Sequence, residues 1–248
     1  MSAVAGLLTS PLLDRFPHGF TTRRGGASDP PFDSLNLGLA VGDDPAKVEE
    51  NWRRLAQATG LEFARVRQVH GSRVVAAERG GPPREEADAV VSAAPGVAAC
   101  VSVADCAPIL LADPRSGAVA AVHAGWRGTL AGAAEQAVRA LEARHGSRPE
   151  ELLGVVGPAI GPCCYEVARD LAERFRDEMG PDCANPSPSQ PRVDLWLANE
   201  TVLRRAGLER RHVQVLRRCT SCEDGWFFSH RRDGGRTGRQ VGFIAPLS

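Results

Sequence analysis

Long apolar runs are missing from this chain. No stretch of 18 apolar residues occurs, so no membrane-spanning helix is expected. An excess of charge of one sign is missing too. Thirty Lys and Arg balance 30 Asp and Glu, which argues against a general nucleic-acid binder, whose affinity rests on a positive surface. Lysine is reduced to Lys47 and methionine to Met1 and Met179. The seven cysteines are odd in number, at spacings that give no disulfide framework. They point to a reducing, cytoplasmic compartment. Met1–Ser10 lacks a basic start and a long apolar centre, so it reads as a poor signal peptide. The His-x-Glu and Pro-Cys-x-x-Cys signature of the cytidine-type zinc deaminases is absent as well.

What is present suffices for a full core. The chain has 248 residues, 43% of them apolar. Its one linker-like stretch, Asn185–Pro191, is too short and too late to divide it, so residues 1–248 are read as one mixed α/β domain with largely antiparallel strands. Asp44 and Pro45 open a helix that Gly60 stops. Strands are expected at 18–22, 63–69, 73–77, 88–92, 97–103, 107–112, 118–123, 152–156, 212–216 and 241–245. Helices are expected at 129–145, 167–179 and 194–206.

Three residues stand out: His70 in Gln68-Val69-His70-Gly71, Cys106 in Ala104-Asp105-Cys106, and His123 in His123-Ala124-Gly125-Trp126-Arg127-Gly128. Two imidazoles and a thiolate match a zinc site with three protein ligands, the kind that keeps a fourth position open. The runs 107–112 and 118–122 flank Asp113-Pro114-Arg115-Ser116 and read as a β-hairpin. With a four-residue loop at 113–116, Cys106 faces His123, and opposed residues share a face. His70 is expected at the turn of a second hairpin, 63–69 with 73–76. Asp105, next to Cys106, points the other way and is expected to make a structural hydrogen bond. The helix at 129–145, capped by Thr129, begins just beyond a ligand, and Arg127 stands beside it. Such an end binds anions, so an oxyanion or phosphate substrate is expected. From Arg204 to Arg239 ten arginines meet four acids, a solvated basic face with one or two arginines available to phosphate. Cys219-Thr220-Ser221-Cys222 has the form of half a zinc knuckle, but the adjacent pair Cys163-Cys164 is wrongly spaced to complete it. All four read as ordinary thiols.

Seven ordered motifs then resemble one family. They are Thr21-Thr22-Arg23-Arg24-Gly25-Gly26, Ser34-Leu35-Asn36-Leu37-Gly38, the three ligand motifs above, Gly157-Pro158-Ala159-Ile160-Gly161-Pro162-Cys163-Cys164-Tyr165-Glu166-Val167, and the closing Phe228-Ser229-His230-Arg231-Arg232-Asp233-Gly234 with Thr237-Gly238-Arg239. Together they resemble the YfiH-type, laccase-domain or polyphenol-oxidase-like family, described as purine nucleoside phosphorylases. The resemblance runs from about residue 18 to the C-terminus. It implies an α/β/β/α layered sandwich with antiparallel or mixed sheets, similar to the catalytic domain of cytotoxic necrotizing factor. It implies a metal site on His70, Cys106 and His123. It also implies phosphorolysis of adenosine, inosine, guanosine and methylthioadenosine, with adenosine deamination as a further activity. The substrate- or phosphate-binding set is Arg23, Asn36, Gln68, Arg127 and Arg231, with Arg23 the leading phosphate contact and Arg232 and Arg239 in reserve. The implied partners are a purine nucleoside and phosphate, with no nucleic acid and no membrane, for a monomer or weak homo-oligomer. Two positions depart from the family pattern: His230 stands where Tyr is frequent, and Gln240 where Met is.

The laccase label is tested by counting. Six histidines and no His-x-His pair are too few for the centres of a multicopper oxidase, and neither methionine lies near the motifs to serve as the axial ligand of a blue-copper site. Zinc is the expected cofactor, and Cu2+ binding in vitro is expected to follow from copper's higher affinity for such sites. Three other readings are a copper-binding oxidase, a metal-free thiol hydrolase using Cys106 and His123 as nucleophile and base, and a non-catalytic ligand-binding protein.

Overall fold

The structure is a computed structural model and describes residues 6–82, 85–187 and 189–247. Met1–Ala5, half of the stretch read for a signal peptide, and Pro188 of the proline loop lie outside them. In chain order the elements are β1 (His18–Phe20), α1 (Pro45–Thr59), β2 (Glu62–Ala64), β3 (Val74–Ala77), β4 (Ala89–Ser92), β5 (Val97–Val103), β6 (Ala107–Ala112), β7 (Val119–Ala124), α2 (Trp126–Leu130), α3 (Ala133–His145), β8 (Leu153–Val156), α4 (Arg169–Met179), β9 (Ala184–Asn185), β10 (Arg192–Val193), α5 (Leu195–Arg205), β11 (Val213–Val215) and β12 (Gln240–Ile244). The first helix follows its end signals. Asp44 accepts the Ala46 N–H, Pro45 holds the first turn, and Gly60 closes the helix with φ 71°.

Two mixed sheets form, one of four strands ordered β1-β12-β5-β2 and one of six ordered β11-β8-β6-β7-β4-β3. Strand periodicity sorts their side chains into three layers. Val97, Ala99 and Val101 of β5, with Leu110 of β6 and Ala121 of β7, pack between the sheets. The alternate residues Ala98 and Cys100 face α1 through Val48, Trp52 and Leu55. Ile109, Leu111, Ala120 and Val122 face Ala137, Val138 and Leu141 of α3 and Leu203 of α5. The order is therefore helix, sheet, sheet, helices, the mixed α/β layering expected. Leu110 is fully buried in the middle layer, and truncating such a residue to Ala costs about 2–5 kcal/mol.

Three local expectations are corrected. The hairpin 63–69 with 73–76 does not form. Strand β2 joins the four-stranded sheet beside β5, and β3 joins the six-stranded sheet beside β4, so residues 65–73 cross between the layers. The Gln68 side chain holds this crossing, donating to Ser102 O (2.8 Å) and accepting from Ser102 N (2.7 Å). The β6–β7 register is shifted by two: Pro108 faces His123, and Ala112 faces Val119. The connection is longer than four residues because Asp113 organises it, its carboxylate accepting from Arg115 N and Ser116 Oγ. A shift of two keeps every side chain on its face, so Cys106 and His123 still converge. Finally, the helix expected at 129–145 is broken. Gly132, at φ 71°, separates α2 from α3. Thr129 lies inside α2, where its hydroxyl accepts from Asn199 Nδ2 at 3.0 Å instead of capping.

Candidate metal centre and substrate cleft

The side chains of His123 and Cys106 reach the same place by strand geometry. His123 continues the face of Val119 and Ala121, which point between the sheets, and Cys106 precedes β6 on the face of Pro108 and Leu110. Both sit where the two sheets open. His70 comes from the crossing segment in a left-handed conformation, φ 62°, and Asp105 has φ 84°. A non-glycine residue there costs roughly 1–3 kcal/mol and persists where the surroundings hold it. Asp88 is the holder at His70. Its carboxylate accepts from His70 N (2.9 Å), Gly71 N (2.7 Å) and Val69 N (3.3 Å).

The same carboxylate lies 2.8 Å from His123 Nδ1. Asp88 has only acceptors to offer when ionised, so the network assigns the His123 proton to Nδ1 and leaves Nε2 toward Cys106. Burial alone would raise the Asp88 pKa. The bonds from His123 and from the backbone of Gly71 and Val69 outweigh it and hold the carboxyl below its ordinary range. The ligand atoms of His70, Cys106 and His123 all lie within 4.8 Å of one another, and the two imidazoles meet edge to face, centroids 4.7 Å apart. Zinc–nitrogen and zinc–sulfur bond lengths place tetrahedral ligands about 3.3–3.8 Å apart, so the three donors fit one ion. The Asp88–His123 bond is the outer contact that metal-ligating histidines normally have. Gly125 makes room for the cluster: a Cβ there would meet Cys106 Sγ at 2.7 Å and His70 Cδ2 at 3.4 Å.

The electrostatics favour the ligating forms. Burial would push the Cys106 thiol up, but His123 and His70 bring it down to about 6. Burial would likewise lower His123, but the Cys106 thiolate and Asp88 raise it to about 9. These values describe the protein without metal; a bound cation would displace the imidazolium proton.

The cluster opens on a cavity of about 730 Å³, within the range of small-molecule sites. Gln68, Arg127 and Arg231 of the expected set line it, together with Tyr165, His230 and Arg239. Arg127 lies over the Trp126 ring, 4.2 Å from its centroid. Arg231 is placed from its backbone, its N–H donating to Asp105 Oδ2 at 2.7 Å. Asp105 also accepts from Thr220 Oγ1 at 2.6 Å, so it makes the structural hydrogen bonds expected of it. Arg239 is desolvated, which works against its charge, while Cys106 and Asp105 support it. Burial, reinforced by the Cys106 charge, pushes Tyr165 up to about 12, which keeps its hydroxyl protonated.

Two expected residues stand outside the lining. Arg23 donates from Nε to Asp33 O (2.8 Å) and from a terminal nitrogen to Asp224 O (3.0 Å), with its guanidinium over Phe228. Asn36 is buried and accepts from Gly38 N and Arg239 N, both at 2.9 Å. It acts on the cleft through the position of Arg239. The expected helix end moves forward: α2 begins at Trp126, which lines the cavity. α3 starts beyond Gly132, away from the cavity lining, and the arginines that line the cavity are Arg65, Arg67, Arg127, Arg231 and Arg239. Of the two departures, His230 lines the cavity. Gln240 is buried and clamps Phe228, accepting from its N–H at 2.9 Å and donating to its carbonyl at 3.1 Å. Asp88 and Tyr165 went unassigned in the sequence. A single acid at the start of an apolar strand was the only available sign of Asp88.

A family model described as multi-copper polyphenol oxidoreductase laccase matches residues 17–246. The chain belongs to this family. Similar proteins include the purine nucleoside phosphorylase YlmD of Geobacillus stearothermophilus, 41% identical over 91% of this chain and 88% of the relative. A purine nucleoside phosphorylase of Deinococcus radiodurans is 42% identical over 96% and 92%. Among solved structures, YlmD from Geobacillus stearothermophilus superposes with a TM-score of 0.93 at 36% identity, covering 100% of this chain and 98% of that one.

Proposed function

We propose that this laccase-domain chain is a zinc-dependent purine nucleoside phosphorylase acting on adenosine, inosine, guanosine and methylthioadenosine, with adenosine deamination as a second activity. The observation that carries the reading is one cavity lined by both the His70–Cys106–His123 cluster and Arg127, Arg231 and Arg239. The names of the relatives support the enzyme class. His70, Cys106 and His123 would hold the zinc, which supplies a fixed positive charge and an open coordination position.

In phosphorolysis a phosphate oxygen forms a bond to C1′ as the C1′–N bond breaks. The ribose gains positive charge and the departing purine takes the electron pair, then a proton. The arginines neutralise phosphate and hold it for attack, an effect of charge and position. Tyr165, protonated across the working pH range, is a donor available to substrate oxygen or nitrogen. Leu37 and Val41 give the cavity apolar surface for a flat base. A second reading draws on one observation: Cys106, His123 and Asp88 also have the order of nucleophile, base and orienting acid.

The experiment is to incubate the purified protein with inosine, with and without phosphate. Hypoxanthine release that requires phosphate supports phosphorolysis. Equal release without it makes the enzyme a hydrolase. Slow alkylation of Cys106 in the metal-loaded protein favours the ligand role, whereas a trapped covalent adduct on Cys106 favours the thiol-hydrolase reading.

A further inference from the structure

Outside the cleft the fold assembles four thiols that the sequence kept apart. Cys163 and Cys164 lie in the loop after β8, and Cys219 and Cys222 lie in the loop after β11. Backbone bonds bring the two loops together: Thr220 N donates to Ala159 O (3.1 Å) and Ala159 N to Arg218 O (3.2 Å). The result places all four sulfurs within 4.8 Å of one another. Cys222 Sγ is 3.6 Å from Cys163 Sγ and 3.3 Å from Cys164 Sγ.

We infer that Cys163, Cys164, Cys219 and Cys222 form a second, structural metal site, a tetrathiolate centre for one zinc ion. Zinc–sulfur bonds of about 2.3 Å in a tetrahedron place the sulfurs about 3.8 Å apart, close to the separations present. A disulfide needs about 2.05 Å, and it would use two thiols and leave two. The Cys-x-x-Cys half receives a backbone bond from the other loop. Gly161 N–H donates to Cys219 Sγ at 3.2 Å, a bond that favours a thiolate.

Four thiolates and one Zn2+ carry two net negative charges once the thiol protons pass to solvent, and two arginines, one of them (Arg232) also paired with Asp233, stand at the surrounding carbonyls. Arg192 donates to Pro162 O (3.1 Å) and to Cys163 O. Arg232 donates to Thr220 O (2.8 Å) and Ser221 O (3.4 Å). The site would clamp two loops that each serve the cleft. Tyr165 follows directly on Cys164, and Thr220, which holds Asp105, lies between the other two ligands. The adjacency of Cys163 and Cys164 excludes them from any Cys-x-x-Cys spacing pattern, but the two side chains still reach one ion in this turn.

The test removes the first site and asks what remains. Cys106→Ala protein, prepared without chelator and with reductant, should retain about one zinc per chain. The exposed thiols Cys163 and Cys222 should resist iodoacetamide until zinc is withdrawn. Adding Cys163→Ser and Cys222→Ser should abolish the remaining zinc. As a readout independent of those substitutions, the Cys106→Ala protein is also stripped and reloaded with Co2+, where intense thiolate-to-cobalt charge-transfer bands are expected. Zinc near zero in Cys106→Ala, immediate alkylation of Cys163 and Cys222, a disulfide among the four by mass spectrometry, or cobalt spectra without thiolate bands would overturn the assignment.

Discussion

Asp88→Asn is the most searching single change. The Asp88 carboxylate accepts hydrogen bonds from His123 Nδ1 at 2.8 Å and from the backbone N–H groups of His70 and Gly71 at 2.9 and 2.7 Å. An asparagine is nearly isosteric, but it offers one acceptor oxygen and turns an NH2 toward at least one of these donors. The His123 ring then loses the partner that fixes its tautomer, and the left-handed turn at His70 loses part of its support. Loss of such an outer partner lowers metal affinity about 10–100-fold, which is roughly 1.4–2.8 kcal/mol. Removing one member of a buried, hydrogen-bonded ion pair costs the fold about 3–5 kcal/mol. For a chain of this size that is a fall in Tm of about 6–20 °C. Competition with a chromophoric chelator measures the first quantity and a thermal melt of the stripped protein the second. An Asp88→Asn protein with unchanged zinc affinity would refute the claim that Asp88 organises both histidines.

Cys106→Ala should lose about one metal ion per chain by elemental analysis; unchanged content would place the metal elsewhere. Gly125→Ala should lower metal affinity with near-native circular dichroism, since the added Cβ would stand 2.7 Å from Cys106 Sγ; full affinity would mean the cluster is slack. In stripped protein, alkylation of Cys106 should rise with pH through about 6, because the thiolate is the reactive form and His123 sustains it. A midpoint at the ordinary thiol pKa would remove the thiolate–imidazolium pair. Arg127→Ala should raise the phosphate KM more than the nucleoside KM, since a charge-assisted bond is worth about 1.5–3 kcal/mol. Arg23→Ala, whose guanidinium binds backbone carbonyls, should lower Tm and leave the phosphate KM near wild type; the reverse result would return Arg23 to the phosphate site.

Local periodicity carried most of the fold into view. Short apolar runs marked β4 to β7, and Asp44, Pro45 and Gly60 marked both ends of α1. What escaped depended on partners distant in sequence. Residues 63–76 read as a hairpin because 63–69 alternates, 70–72 can turn and 73–76 can return, yet each half pairs with a strand that follows later. The β6–β7 register slipped by two because Asp113 closes a wider loop than turn residues alone suggest. The slip left Cys106 and His123 on one face, so the ligand reading survived an error in pairing. Asp88 was invisible because its role exists only where β4 meets the 69–71 turn. The spacing of the four outer cysteines hides their convergence, because two loops rather than one knuckle bring them together. Arg23 and Asn36 illustrate the opposite limit: a motif identifies residues that matter without saying whether they touch the ligand or hold those that do.

The central claim is that phosphate, and not water, takes the ribose at this centre. The direct measurement is 31P NMR of the zinc-loaded protein with inosine and phosphate, alongside quantitation of hypoxanthine. The account predicts ribose 1-phosphate in equal amount to the base released, no base without phosphate, and loss of both products in Cys106→Ala. Free ribose in place of ribose 1-phosphate, or turnover unaffected by Cys106→Ala, would contradict it.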